Sequence, residues 1–268
     1  MNQAKYTSLY KILSVVSVIV ASELLLLGKS KMIGWLVWAV IFGALFLLRF
    51  DFRRSFQALL LGIGIVGLVP ITTDISFGHM LIMGTALAGA IVLPVHIMNK
   101  IGYAPTFPLG KVGDWPLKYY AYILFAGVFS YLLLPYYLAS TGSYQNWDAI
   151  WDASHIVRLF IGTNALGIWD ELFFIGVCLT LLRRHLPFFW ANVVQAALWA
   201  SFLYELGFHG WGPIAIFFFA ITQGYLFKSV RSMLFIIAVH LTVDAMLFLS
   251  LLHLHNPAHL RIFLTAPF

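Results

Sequence analysis

Nine apolar runs follow one another along this chain, at residues 12–28, 32–48, 56–71, 75–98, 117–139, 155–182, 188–206, 214–227 and 233–252. A helix needs about 20 mostly apolar residues to cross the hydrocarbon of a bilayer. Runs of this length predict an all-α, polytopic transmembrane bundle. The run at 214–227 is short and the run at 155–182 is long enough to tilt or to begin outside the hydrocarbon, so the expected number of spans is eight or nine. The 268 residues are 62% hydrophobic and 10% charged, with a mean hydropathy of +0.92, which leaves no room for a separate water-soluble domain.

A net charge of +6 does not point to nucleic acid, because the basic residues stand singly or in pairs between apolar runs and so read as topology anchors. With the N-terminus cytoplasmic, one side holds Lys5, Lys11, Arg49, Arg53, Arg54, Lys100, Lys111, Lys118, Arg183, Arg184, Lys228 and Arg231. The other holds Lys29, Lys31, Arg158 and Arg261. That asymmetry predicts a cytoplasmic N-terminus and a C-terminus on the opposite side. The first run follows Lys5 and Lys11 as a signal peptide would, but without a small-x-small cleavage site, and is read as a retained span. Cys178 is the single cysteine, so an intramolecular disulfide and a thiolate metal cluster are both excluded.

Residues 1–140 hold about five spans, and residues 141–268 hold the rest. Between the fifth and sixth runs, Trp147, Ile150 and Trp151 fall on one helical face of the polar stretch 141–154, away from Asp148 and Asp152. This stretch is expected to lie flat on the outer surface.

Five of the ten acidic residues fall inside apolar runs: Glu23, Asp170, Glu171, Glu205 and Asp244. An Asp near the bilayer centre costs roughly 2.5–3.5 kcal/mol on insertion scales, so such residues normally face a cavity or a partner. Four of the five lie in the second half, which also carries His240. His240 and Asp244 are at i and i+4, stacked on one helical face where the carboxylate can fix the imidazole. Asp170 and Glu171 are adjacent and point about 100° apart on a regular helix. Glu205 ends its run just before a loop bearing His209 and Trp211; about 17 residues separate it from the start of that run, against about seven for His240, a depth offset of order 15 Å.

These residues resemble the CPBP family of membrane proteins, which includes the type II CAAX prenyl endopeptidases and bacteriocin-processing or immunity proteins. The resemblance covers about residues 168–252. The family pattern is an EExxxR helix, an FxxxH helix about 30 residues on, a further helix, and a last helix with HxxxN or HxxxD. Here Asp170 and Glu171 stand at the paired acids, Ile175 replaces the arginine, and His240 with Asp244 completes the final motif. The FxxxH helix has no histidine; by spacing, Glu205 lies at or near that position. The resemblance implies an intramembrane endopeptidase acting on a membrane-associated peptide or protein. In it Glu171 activates water, while His240, Asp244, Asp170 and Glu205 complete the site. A divalent metal is left open, since one histidine among several carboxylates is not a strong zinc signature.

Other readings stay open on sequence alone. The buried acids can be polar contacts that tie neighbouring helices, the chain can be an inactive relative that binds partners in immunity or trafficking, and a proton-coupled transporter would also use buried acids. Glu23 reads as a packing contact, and Gly62, Gly64 and Gly67 as sites of close helix approach.

Overall fold

A computed structural model describes residues 2–27, 30–47, 52–103, 107–111 and 115–266. Among them every regular element is helical. The helices are α1 (Asn2–Leu27), α2 (Lys31–Leu47), α3 (Phe52–Gly67), α4 (Phe77–Asn99), α5 (Leu117–Thr141), α6 (Ala153–Arg183), α7 (Phe188–Glu205), α8 (Gly212–Val230) and α9 (Met233–His255). Six are long and apolar enough to cross a membrane: α4, α5, α6, α8, α9 and residues Tyr10–Leu27 of α1. The protein is therefore a multi-pass all-α bundle. Of the expected topology anchors, Lys29, Arg49 and the side chain of Lys5 lie outside the described residues, as does the chain end that fixes the C-terminal side.

Two boundaries depart from the apolar runs for local reasons. The third helix ends at Gly67, ahead of Pro70, whose ring disfavours helical geometry in the residue before it. The eighth begins two residues ahead of its run, at Gly212, and accommodates Pro213 in its first turn, where the missing N–H costs no hydrogen bond.

Where the bundle lacks a hydrophobic driving force between helices, small residues and buried polar contacts position them. A β-carbon at Gly62 of α3 would stand 2.8 Å from the Phe173 ring and 3.0 Å from the Ala90 carbonyl, so this glycine lets α3 meet both α4 and α6. The Trp169 indole donates to the Leu87 carbonyl at 2.8 Å and joins α6 to α4. Phe174 stacks on Trp199 with centroids 5.3 Å apart, fixing α7 against α6. Aromatic pairs of this kind contribute about 0.5–1.5 kcal/mol beyond their burial. On the far side of α7, Ser201 donates to the Glu23 carboxylate of α1 at 2.5 Å, a packing contact as expected for Glu23.

The connections after α4, α6 and α8 meet at one end of the bundle. Met233 donates to the Pro108 carbonyl and Ser232 to the Leu109 carbonyl, while the Arg184 guanidinium lies 3.7 Å from the Tyr103 ring centroid.

The stretch 141–154 is not the amphipathic surface helix expected of it. Between the end of α5 and the start of α6 only Ser143–Asn146 is helical, as one 3-10 turn. Trp147 is buried against Phe208 instead of lying in an interface plane, and Asp152 turns the chain into α6 by accepting from the His155 N–H.

Candidate active site

Asp170 and Glu171 close the regular part of α6, and from Glu171 to Leu179 the same helix widens into a π-helix. Such segments are rare and frequent at functional sites. His240 and Asp244 come from α9, one turn apart. The two helices cross at Gly167, where a β-carbon would collide with the Asp244 carboxylate. Glycine is what permits this depth of contact.

At the crossing, all four side chains meet. His240 Nδ1 lies 3.0 Å from Glu171 Oε1, and His240 Nε2 lies 3.6 Å from Asp244 Oδ1 and 4.0 Å from Asp170 Oδ2. Although the two acids are adjacent and point apart, both can therefore face one ring. An imidazole has two nitrogens on opposite edges, and Glu171 takes one while Asp170 faces the other.

The surroundings are enclosed and aromatic. Trp199 of α7 stacks on the His240 ring with centroids 5.5 Å apart, and Phe219 of α8 meets it edge-on at 5.2 Å. Asp170 and Glu171 are fully enclosed, and His240 and Asp244 nearly so. Gln223 of α8 donates to Glu171 Oε1 at 2.6 Å, and the same amide nitrogen lies 3.3 Å from the Ile236 carbonyl. Glu171 Oε2 and Asp244 Oδ2 make no hydrogen bond, and the Trp199 indole stands beside the Asp170 carboxylate. Unpaired atoms this deep are costly, and their clustering around one imidazole marks the place as something other than a packing contact.

Glu205 does not join them. It lies six residues beyond Trp199 on α7, about 9 Å further along the axis and about 240° around it, so the helix cannot present both to α9. Its carboxylate instead stands 3.7 Å from Lys31 Nζ at the other end of the bundle, with both side chains partly exposed. The residue of α7 that does face the cluster is Trp199. His209 is exposed in the loop after α7, beside Asn146.

A groove of about 370 Å³ runs between α5, α8 and α9, and His240 and Asp244 form part of its wall. Its other lining is largely aliphatic and aromatic. Phe125, Phe129 and Phe218 along it are more than half exposed, so the groove opens on the apolar outer surface of the bundle. Towards one end Tyr137 donates to the His209 carbonyl at 2.9 Å and packs edge-on against Trp211.

The cluster does not suit a metal ion. The His240 ring stands between Glu171 on one edge and the aspartates on the other, so the donors do not converge. Among the described residues no set of three or more His, Cys, Asp or Glu side chains is disposed to hold a metal.

Sequence reasoning missed Gln223 and Trp199, along with the amides that hold α7 to α8. In that second set Gln195 donates to Asn192 and to the Ala220 carbonyl, and Asn192 donates to the Ile221 carbonyl. A search confined to charged residues overlooks them. The signal was present, since an amide inside an apolar run must also find partners.

Residues 152–246 match the family model described as Type II CAAX prenyl endopeptidase Rce1-like. The match begins at the cap of α6 and ends within α9, so it contains the entire acid and histidine cluster. The likeness to the CPBP family that the motifs carry thus holds over this segment. No curated protein and no solved structure matches the chain.

Proposed function

We propose that this chain is an intramembrane endopeptidase that hydrolyses a peptide bond of a membrane-associated peptide or protein. One observation carries the reading: Asp170, Glu171, His240 and Asp244, from helices far apart in sequence, are buried in mutual contact beside a groove open on the apolar outer surface. An imidazole flanked by carboxylates in a low-dielectric site is suited to moving a proton between water and a leaving amine. On the family resemblance Glu171 activates the water, with His240, Asp244 and Asp170 completing the site. The apolar groove suits a substrate that reaches the cluster sideways from the bilayer, and the N-terminus is cytoplasmic with the C-terminus opposite.

A second reading is supported by a specific observation. Glu171 is enclosed and has no share in the groove wall, Ile175 stands where an arginine is expected, and the residue that α7 turns to the cluster is Trp199, not a histidine. These features favour an inactive relative that binds membrane partners. Purified protein in detergent, offered lipid-tethered peptides, separates the two. Turnover that disappears in Glu171→Gln while the fold persists supports the peptidase. Absence of turnover, with partner capture that survives Glu171→Gln and His240→Ala, supports the binding protein.

A further inference from the structure

At the end of the bundle where α6 gives way to α7 and α8 stops, two cations meet on one ring. The Arg183 guanidinium carbon lies 5.2 Å from the centroid of the Phe188 ring, and Lys228 Nζ lies 4.4 Å from the same centroid. Tyr225 packs edge-on against that ring, with centroids 5.0 Å apart, and holds it in place. The two charges therefore stand within about 10 Å of each other, close enough in moderate salt to repel. Both side chains are exposed, and among the described residues neither pairs with a carboxylate, whereas Lys31 at the opposite end has Glu205 at 3.7 Å. Attraction to the ring holds each cation near it but leaves its charge unanswered.

What lies beside the pair is apolar. Phe189 and Trp190, the next residues of α7, are more than half exposed. On α8, Ile214, Phe218 and Tyr225 are exposed as well, and with Lys228 they fall within about 80° of one another around the helix axis. One face of α8 thus runs from apolar side chains in its middle to a cation in its last turn. Phe218 precedes Lys228 by about 15 Å along the axis, the hydrocarbon depth of one leaflet. A soluble anion would make no use of such a flank. A phospholipid fits both parts, its acyl chain along Phe218 and its phosphodiester accepting from Arg183 and Lys228, with Trp190 at the level where headgroups meet chains.

We propose that Arg183 and Lys228, gathered on Phe188, bind the headgroup of an anionic phospholipid whose acyl chain lies on the outer face of α8. The site stands apart from the acid and histidine cluster, roughly 15 Å further along α6, and does not depend on whether the chain is a peptidase or an inactive relative. A zwitterionic lipid would bring an ammonium of its own up to the same two cations, so the site selects phosphatidylglycerol over phosphatidylcholine. Each basic residue at a membrane surface strengthens binding to anionic lipid by a factor of about five.

The test uses the full chain in vesicles of phosphatidylcholine and phosphatidylglycerol, with one lipid or the other carrying brominated acyl chains, which quench tryptophan on contact. Trp190 reports on the site, its share of the signal being the difference between each protein and the same protein with Trp190→Phe. The expected result is quenching by brominated phosphatidylglycerol with a preference of at least about tenfold over brominated phosphatidylcholine. Arg183→Gln and Lys228→Gln should each lower that preference by about fivefold, and together remove it. Lys118→Gln makes the same change of charge at an exposed cation of the same end, where Tyr119 meets Phe235, and should leave the preference within about twofold. Absence of a preference in the wild type overturns the proposal. So does a Lys118→Gln loss as large as the other two, since attraction would then be to the charged end as a whole. A preference erased by millimolar inorganic phosphate would make the pair a site for a soluble anion and overturn the lipid assignment.

Discussion

His240 Nδ1 lies 3.0 Å from Oε1 of Glu171, a residue 69 positions earlier in the chain. Two whole helices, α7 and α8, are threaded between them, and each contributes a side chain to the contact: Trp199 against the ring and Gln223 against the carboxylate. The pair is the centre on which four helices agree. Its consequences can be checked one residue at a time.

Gly167→Ala should destabilise the protein. In an unobstructed helix this change would stabilise by up to about 1 kcal/mol, since alanine is the better helix former. Here the new β-carbon would stand 3.0 Å from Asp244 Cγ and 3.1 Å from His240 Cδ2, in addition to its collision with the carboxylate oxygen. Overpacking costs typically about 1–3 kcal/mol, so the clash outweighs the propensity gain. Thermal denaturation in detergent checks the sign. In an Asp244→Ala background the penalty should largely vanish, because the obstructing carboxylate is gone.

Substitutions at Asp244 should separate shape from charge. Asp244→Asn keeps an oxygen near His240 Nε2 and should reduce turnover by about tenfold. Asp244→Ala removes the nearer carboxylate from that edge of the ring and should reduce it by about 10²–10⁴-fold. Equal losses in the two variants, measured on one peptide substrate, would show that the carboxylate acts by charge alone.

Glu205→Gln should leave turnover unchanged and cost less than about 1 kcal/mol of stability. Its pairing with Lys31 is a partly exposed ion pair, with side-chain exposures of 27% and 53%, a class that contributes little in water-accessible positions. A loss of activity comparable to that of Glu171→Gln would return Glu205 to the site.

Topology can be read by labelling single cysteines in a Cys178→Ala background, which is free of thiols because Cys178 is the single cysteine. Lys100→Cys should react with an impermeant reagent only after the membrane is opened. His259→Cys, in the exposed segment after α9, should react in intact cells. The reverse pattern would invert the proposed orientation.

Much of the architecture was legible in the chain itself. The length of the apolar runs specified a multi-pass helical bundle because a bilayer admits few other ways of satisfying a backbone. The expense of charge in hydrocarbon drew attention to Asp170, Glu171, His240 and Asp244, and the i, i+4 spacing placed the last two on one face. Glu23 was legible as a packing contact for the same reason, having little polar company.

Tertiary structure decided what those residues meet. Spacing along a helix cannot tell that Glu171 and Asp170 address opposite edges of one imidazole, because that depends on the crossing at Gly167 and on the wider turn beginning at Glu171. Nor can it tell that α7 offers Trp199 to the cluster and sends Glu205 to Lys31, since the rotation of a helix about its axis is set by its neighbours, here the Phe174 stack and the Glu23 hydrogen bond. Hydropathy governs which segments enter the membrane, a property each segment carries alone. Partner choice among buried polar groups is a property of pairs, and pairs exist only once the helices have packed.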